Sequence, residues 1–189
     1  YKIFLKRAGK IDNKNIILTP DHIKSLMVEL ARLNVNDVVL DTCTGTGGFL
    51  MEAMEVLIQK ANNDETLIKN IKENQLIGFE VDSVLFALAC SNMFLHGDGR
   101  TNLLFRSSLL DDKNENIINN KDQDLLNYIN SLKPTKCIIN PPYETNSSIK
   151  FTLQALKYLE PNGKLIIIMP TPTLTQNQNS FTAEVLKVA

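Results

Sequence analysis

Short apolar runs alternate with longer stretches of helical periodicity, and this alternation narrows the fold more than any other feature of the chain. The runs are Val38-Val39-Leu40-Asp41, Leu76-Ile77-Gly78-Phe79-Glu80, residues 102–106, Lys136-Cys137-Ile138-Ile139 and residues 164–169. Strands separated by helices build βαβ units and a mostly parallel sheet. No sixth or seventh strand is expected, because the sequence stops one helix after the fifth run.

Helical patterns fill the gaps. Leu18-Thr19-Pro20 announces the first helix, with Thr19 as N-cap and Pro20 at the first helical position. Ile23, Leu26, Met27, Leu30 and Leu33 then share a face. Residues 49–60 carry Leu50, Met54 and Leu57 on one stripe. Residues 61–74 are polar and are expected to hold a helical turn or two. Residues 83–96 read as a helix capped by Asp82, and residues 149–159 and 182–188 as two more. Residues 111–124, rich in Asn, Asp and Lys, read as an insertion or surface loop. Pro161-Asn162-Gly163 is a turn, and Pro170 stops the last strand.

The chain has 189 residues, 43% hydrophobic and 22% charged, which suits one globular core and argues against a disordered tail or a coiled coil. No segment approaches the ~18 apolar residues of a membrane span, and no basic stretch precedes an apolar one as in a secretory signal. Three cysteines without C-x-x-C spacing suit neither a disulfide framework nor a zinc site, and fit a reducing cytoplasm. Twenty Lys+Arg against 21 Asp+Glu give a net charge of -1, so the chain as a whole carries no basic footprint for nucleic acid. Tyr1 stands without a Met, and Ala189 falls within a helical pattern. Both ends are therefore expected to be cuts in a longer protein, with residues 1–18 a lead-in and residues 19–189 a core lacking its C-terminal remainder.

Three places carry chemistry. Asp41-Thr42-Cys43-Thr44-Gly45-Thr46-Gly47-Gly48-Phe49 joins a strand to a helix, where glycines admit a ligand to the backbone and the helix start offers free N–H groups. The dinucleotide fingerprint needs a third glycine where Leu50 stands. An acidic strand end before the loop instead suits an S-adenosylmethionine site; a tight turn without ligand is the plainer reading. Glu80, at the second strand's end, is placed to accept both hydroxyls of a ribose, or to serve as a first-turn acid for the next helix. Asn140-Pro141-Pro142-Tyr143 forbids continuation of the fourth strand and makes a rigid turn. Its Asn oxygen and the next carbonyl could accept both hydrogens of an exocyclic amine while Tyr143 stacks on a flat ring; the alternative is a proline turn with a packed tyrosine.

The order Leu-Thr-Pro, Asp-x-x-x-Gly-Thr-Gly-Gly-Phe, Gly-Phe-Glu, Asn-Met-Phe-Leu-His-Gly (residues 92–97) and Asn-Pro-Pro-Tyr resembles the amino-methylating DNA methyltransferases. It is most similar to the modification subunits of type I restriction–modification systems, over roughly residues 17–170. The resemblance implies a class I S-adenosylmethionine-dependent methyltransferase fold: an α/β, Rossmann-like, doubly wound, mostly parallel sheet, truncated after strand five, with an expected strand order of 3-2-1-4-5. It implies cofactor binding by Thr19, Pro20, Asp41, Thr44, Gly45, Thr46, Gly47, Gly48 and Glu80, and a flipped adenine held by Asn140, Pro141 and Tyr143. Where the family presents an Asp after strand three, Ser107 and Ser108 stand, and Ser108 is the expected contact to the cofactor's adenine. Thr42 replaces the family's Pro, and Tyr143 its more frequent Phe.

The implied activity is methyl transfer from S-adenosylmethionine to adenine N6 in DNA. The implied partners are a specificity subunit and a restriction subunit, with DNA bound through the full complex in the cytoplasm and no membrane. The 189 residues alone are expected to be inactive. A methyltransferase for RNA base amines or protein glutamine, or a non-catalytic cofactor-binding scaffold, stays open. His22 and His96 are isolated and form no metal motif. Met27, Met51, Met54 and Met93 fit core packing, and Cys43, Cys90 and Cys137 read as small core residues rather than nucleophiles.

Overall fold

The computed structural model describes residues 18–97, 102–110, 120–143 and 147–176. In chain order the elements are α1 (Asp21–Ala31), β1 (Val39–Asp41), α2 (Gly48–Lys60), α3 (Glu65–Asn74), β2 (Leu76–Glu80), α4 (Ser83–Leu95), β3 (Asn102–Phe105), α5 (Asn120–Leu132), β4 (Lys136–Ile139), α6 (Ser147–Tyr158), β5 (Lys164–Ile167) and α7 (Thr171–Gln176). Every strand pair is parallel, as the alternation implies, and the order β3-β2-β1-β4-β5 is the one expected with the family resemblance. The sheet changes direction of growth at β1, whose neighbours are β2 and β4.

Side chains alternate across the sheet, so each strand feeds two cores. Val39, Leu76 and Ile138 join Met27, Val28, Leu50, Met54, Leu57 and Met93 on the face covered by α1, α2, α3 and α4. Leu40, Ile77, Phe79, Cys137 and Ile139 join Leu125, Ile129, Ala155 and Tyr158 on the face covered by α5 and α6. The amino end of the sheet is pinned by Asp37. Its Oδ1 accepts from Thr135 Oγ1 at 2.7 Å, its Oδ2 accepts from the Asn34 backbone and side-chain amides, and its carbonyl accepts from Gln75 Nε2. The polar strand ends Asp41 and Glu80 lie at the opposite, carboxyl end.

Gly78 pairs in register with Asp41. A Cβ on Gly78 would collide with Leu103 Cδ2 and Thr44 Oγ1, so this strand glycine lets the loop after β1 fold down over β2.

Four expectations change. Thr19 does not cap α1: the helix starts at Asp21 with Pro20 as N-cap and no side-chain cap bond. The buried stripe of α1 is Met27, Val28 and Ala31, whereas Leu26 and Leu30 are 50% and 54% exposed. Periodicity gave the right residue types but misjudged the rotation of the helix against α2. Residues 65–74 form ten helical residues capped by Asp64, more than a turn or two, because Asp64 accepts from Thr66 N and Leu67 N. Residues 120–124, read as loop, begin α5, held by buried Leu125 and Ile129 and by Asp122 paired with Arg106 at 3.2 Å. The rest of that segment and residues 182–188 lie outside the described residues. Asp82 caps α4 as expected, accepting from Val84 N and Leu85 N.

Candidate active site at the carboxyl edge of the sheet

A parallel sheet aligns all its carboxyl ends on one edge. Asp41 ends β1, Glu80 ends β2, Ser107 and Ser108 follow β3 and Asn140 follows β4, and this edge beside the switch point is where open α/β sheets bind ligands.

The first half of the site is built on Asp41. Its carboxylate is fully buried. Oδ1 accepts from Cys43 N at 3.0 Å, and Oδ2 has no hydrogen-bond partner among the described residues. Burial pushes its pKa up to about 7, opposed by the Cys43 amide and assisted by the charge of Glu80. The loop that follows is tied from several sides. Thr44 donates its hydroxyl to Asp41 O and its N–H to Phe79 O. Gly45 N donates to Glu80 Oε2 at 2.8 Å. Gly45 and Gly47 have φ of +56° and +83°, backbone that residues with a Cβ rarely adopt. Gly48 begins α2 with Lys24 of α1 lying over it, close enough that a Cβ would touch Lys24 Cδ at 3.0 Å.

Glu80 is engaged mostly with its own surroundings. Oε1 accepts from Val81 N and Asp82 N at 2.8 Å each, and Oε2 takes Gly45 N. One lone pair on Oε2 is left. Ser108, buried, donates its hydroxyl to Thr42 O at 3.0 Å, so it fastens the end of β3 to the loop after β1. Ser107 is exposed, and its Oγ accepts from Leu109 N.

The second half is Asn140 to Tyr143. Pro141 is buried and Tyr143 is 50% exposed. Asn140 Nδ2 donates to Thr19 Oγ1 at 3.0 Å, and Tyr143 Oη donates to Asn140 Oδ1 at 2.9 Å. Thr19, expected with Pro20 to wrap the cofactor, thus touches the tetrapeptide, while Lys24 of α1, which both precede, lies over Gly48.

Two supporting residues were assigned no contact in the sequence reading, although Asn92 opens the run 92–97 that carries part of the resemblance. Asn92, buried in α4, donates to Thr46 O at 2.7 Å; a lone amide in an apolar helix was the available signal. Tyr158 stacks on Phe79 and donates to Ser108 O at 2.6 Å; nothing in its helical pattern distinguished it from an ordinary core residue. Burial pushes the Cys43 thiol up, with the charge of Asp41 adding to the effect, and Cys137 is displaced the same way. Neither supplies thiolate. Among the described residues no group of His, Cys, Asp or Glu could hold a metal ion, and no helix is long and apolar enough to cross a membrane.

The family model for N-6 DNA Methylase matches residues 1–183. The type II restriction enzyme and methyltransferase RM.BcgI of Heyndrickxia coagulans is 37% identical over 183 residues, an alignment that covers 92% of this chain and 26% of that protein. The chain therefore spans about a quarter of its curated relative. The fold matches a structure described as a modification subunit of a type I restriction enzyme from Vibrio vulnificus YJ016, with a TM-score of 0.77, 21% identity, and coverage of 98% of this chain and 41% of that one. It also matches a nuclease-deletion mutant of the type ISP restriction–modification enzyme LlaGI in complex with a DNA substrate mimic, with a TM-score of 0.71, 17% identity, and coverage of 99% and 24%. A five-stranded parallel sheet in this order, an acid-ended glycine loop and Asn-Pro-Pro-Tyr past β4, together with the match across residues 1–183, show that the chain belongs to the N-6 DNA methylase family.

Proposed function

We propose that the chain is the cofactor-binding and catalytic core of an S-adenosylmethionine-dependent DNA methyltransferase that modifies adenine N6 within a restriction–modification assembly. The observation that carries this reading is Asn140. It is the first residue past β4, on the same sheet edge as Asp41 and Glu80, and its amide is held by two hydroxyls.

The residues present fit the cofactor. Asp41 Oδ2 is a buried acceptor without a partner among the described residues, the kind of orphan a polar ligand satisfies. The free lone pair of Glu80 Oε2 suits one ribose hydroxyl, and Gly45, with open space where a Cβ would stand, leaves backbone open to approach. Ser108 acts by holding Thr42 in place, since its hydroxyl proton is committed there. S-adenosylmethionine supplies, when bound, an electrophilic methyl group on a sulfonium sulfur.

This chain's own part is positioning. Asn140 Oδ1 has a second lone pair beyond the one used by Tyr143. With the Pro141 carbonyl it would take both hydrogens of an exocyclic amine, favouring the tetrahedral nitrogen as positive charge develops. The half-exposed Tyr143 ring offers a stacking face to a base out of its helix, offsetting part of the few kcal/mol that extrusion costs. The near-neutral charge leaves phosphate contacts and target choice to the rest of the protein and to specificity and restriction partners.

The test is methyl transfer by the full-length protein in its assembly. Tritiated S-adenosylmethionine and unmethylated bacterial genomic DNA are incubated, and the DNA is digested to nucleosides. Label in N6-methyl-2′-deoxyadenosine is the expected result. Label in RNA or protein alone, or none, contradicts the proposal.

A further inference from the structure

The run Asn92-Met93-Phe94-Leu95-His96-Gly97 carries part of the family resemblance but none of the chemistry assigned above. It closes α4 and lies against the glycine loop. Asn92 is buried, and its Nδ2 donates to Thr46 O at 2.7 Å, a residue 46 positions away in sequence. One turn earlier in the helix, fully buried Ala89 packs under Gly47: a Cβ on Gly47 would stand 3.6–3.8 Å from its atoms. Met93, fully buried in the core beside it, fixes the rotation of α4. His96 N and Nδ1 both meet the Asn92 carbonyl, at 3.1 and 2.8 Å. Gly97, at φ +82°, turns the chain out of the helix while its N–H donates to Phe94 O at 3.0 Å. The run is a capped helix end that carries one amide to the loop after β1.

That amide meets a weakness of the loop. Glycine adopts positive and negative φ about equally readily, so the Thr46–Gly47 peptide plane can flip through Gly47, which here has φ +83°. Two bonds hold the plane. The Thr46 carbonyl accepts from Asn92, and the Gly47 N–H donates to Thr44 O at 2.9 Å. Of the two, only the bond from Asn92 comes from outside the loop, and it keeps the carbonyl turned to α4. The loop thus has one side packed on α4, at Gly47, and one side open, where a Cβ on Gly45 would meet no atom within 4 Å. A loop held in its binding shape beforehand spares the ligand the cost of ordering it.

We propose that Asn92 is a positioning residue for cofactor binding: its amide locks the Thr46–Gly47 peptide and so keeps the glycine loop in the shape that admits S-adenosylmethionine. It acts through Thr46 and touches no ligand itself. The inference rests on the methyltransferase reading above, and it gives the end of α4 a part in binding rather than in transfer.

The experiment uses the full-length protein in its assembly, tritiated S-adenosylmethionine and unmethylated bacterial genomic DNA. Asn92→Ala removes the donor, and Asn92→Leu removes it while filling the space with an apolar side chain. Both are expected to raise the calorimetric Kd for S-adenosylmethionine about tenfold, the worth of one such hydrogen bond. The single-turnover rate at saturating cofactor stays within about twofold of wild type, because ground-state binding alone is lost. Met93→Ala, one residue on in the same core, leaves a cavity and lowers the melting temperature, yet keeps the cofactor Kd within about twofold of wild type. Four results overturn the proposal: an unchanged Kd in both Asn92 variants, a saturated rate that falls as far as the affinity, an equal loss of affinity in Met93→Ala, or failure of both Asn92 variants to fold where Met93→Ala folds. If the wild type binds no S-adenosylmethionine or labels no adenine, the functional reading falls. If it does both and the Asn92 variants bind as it does, this inference alone falls.

Discussion

Asp41 combines complete burial with an acceptor, Oδ2, that no side chain or backbone amide among the described residues satisfies. Burial raises its pKa to about 7, above the unfolded carboxylate value near 4. Between about pH 4 and pH 7 the folded state then holds a proton that the unfolded state has lost. The contribution of this group to stability is greatest at the acid end of that window and declines as pH rises to about 7, after which it is constant. Asp41→Asn removes the decline. Thermal melts of the ligand-free protein are therefore expected to show a larger advantage of Asp41→Asn over wild type at pH 8 than at pH 5; parallel melting curves at the two values contradict the assignment. Polar residues at the ends of apolar strands, Asp41, Glu80 and Asn140, were legible in the sequence because a charge or amide has no place inside such a run. What they bond to was not. Asn92 reaching Thr46, Ser108 reaching Thr42 and Asn140 reaching Thr19 are contacts of long sequence separation that no local pattern encodes.

Elements hold the site through relays. The hydroxyl of Tyr158, at the end of α6, reaches Ser108 O, and the hydroxyl of Ser108 reaches Thr42 O beside Asp41. Tyr158→Phe keeps the stack on Phe79 and removes the first link, leaving a buried carbonyl without its donor. A loss of about 1–3 kcal/mol in stability follows, read as a lower denaturant midpoint, together with weaker cofactor binding by calorimetry. A variant unchanged in both would show that α6 does not brace the loop. The elements themselves were readable where apolar spacing was strong, as in α2, and where a cap was unambiguous, as with Asp82. α5 was hidden because Asn, Lys and Asp residues at its start resemble loop composition, although Leu125, Leu126, Ile129 and Leu132 keep helical spacing beyond it. α1 was found but turned wrongly, since Leu26 and Leu30 are apolar residues facing solvent.

At the scale of the molecule, the function proposed above divides the carboxyl edge into a cofactor half around Asp41 and Glu80 and a substrate half around Asn140 and Tyr143. The alternation of strand and helix patterns was enough to give a parallel sheet, because parallel strands need crossovers and the crossovers were visible; the strand order came with the family resemblance. The charge balance also bears on function. With a net charge of -1 and about a quarter of its relative's length, the 189-residue chain by itself is expected to give no sequence-specific methylation; tritium transfer to one defined adenine context by this chain alone contradicts that. The division of the edge is tested most directly by two substitutions in the full-length protein and its assembly, each followed by cofactor Kd and single-turnover transfer. Asn140→Ala is expected to lower transfer by roughly 10²–10³, as for loss of one preorganised polar group, with cofactor Kd nearly unchanged. Asp41→Ala is expected to weaken cofactor binding first. Transfer by Asn140→Ala within about threefold of wild type, under ~1 kcal/mol, contradicts the central claim that this amide holds the amine that is methylated.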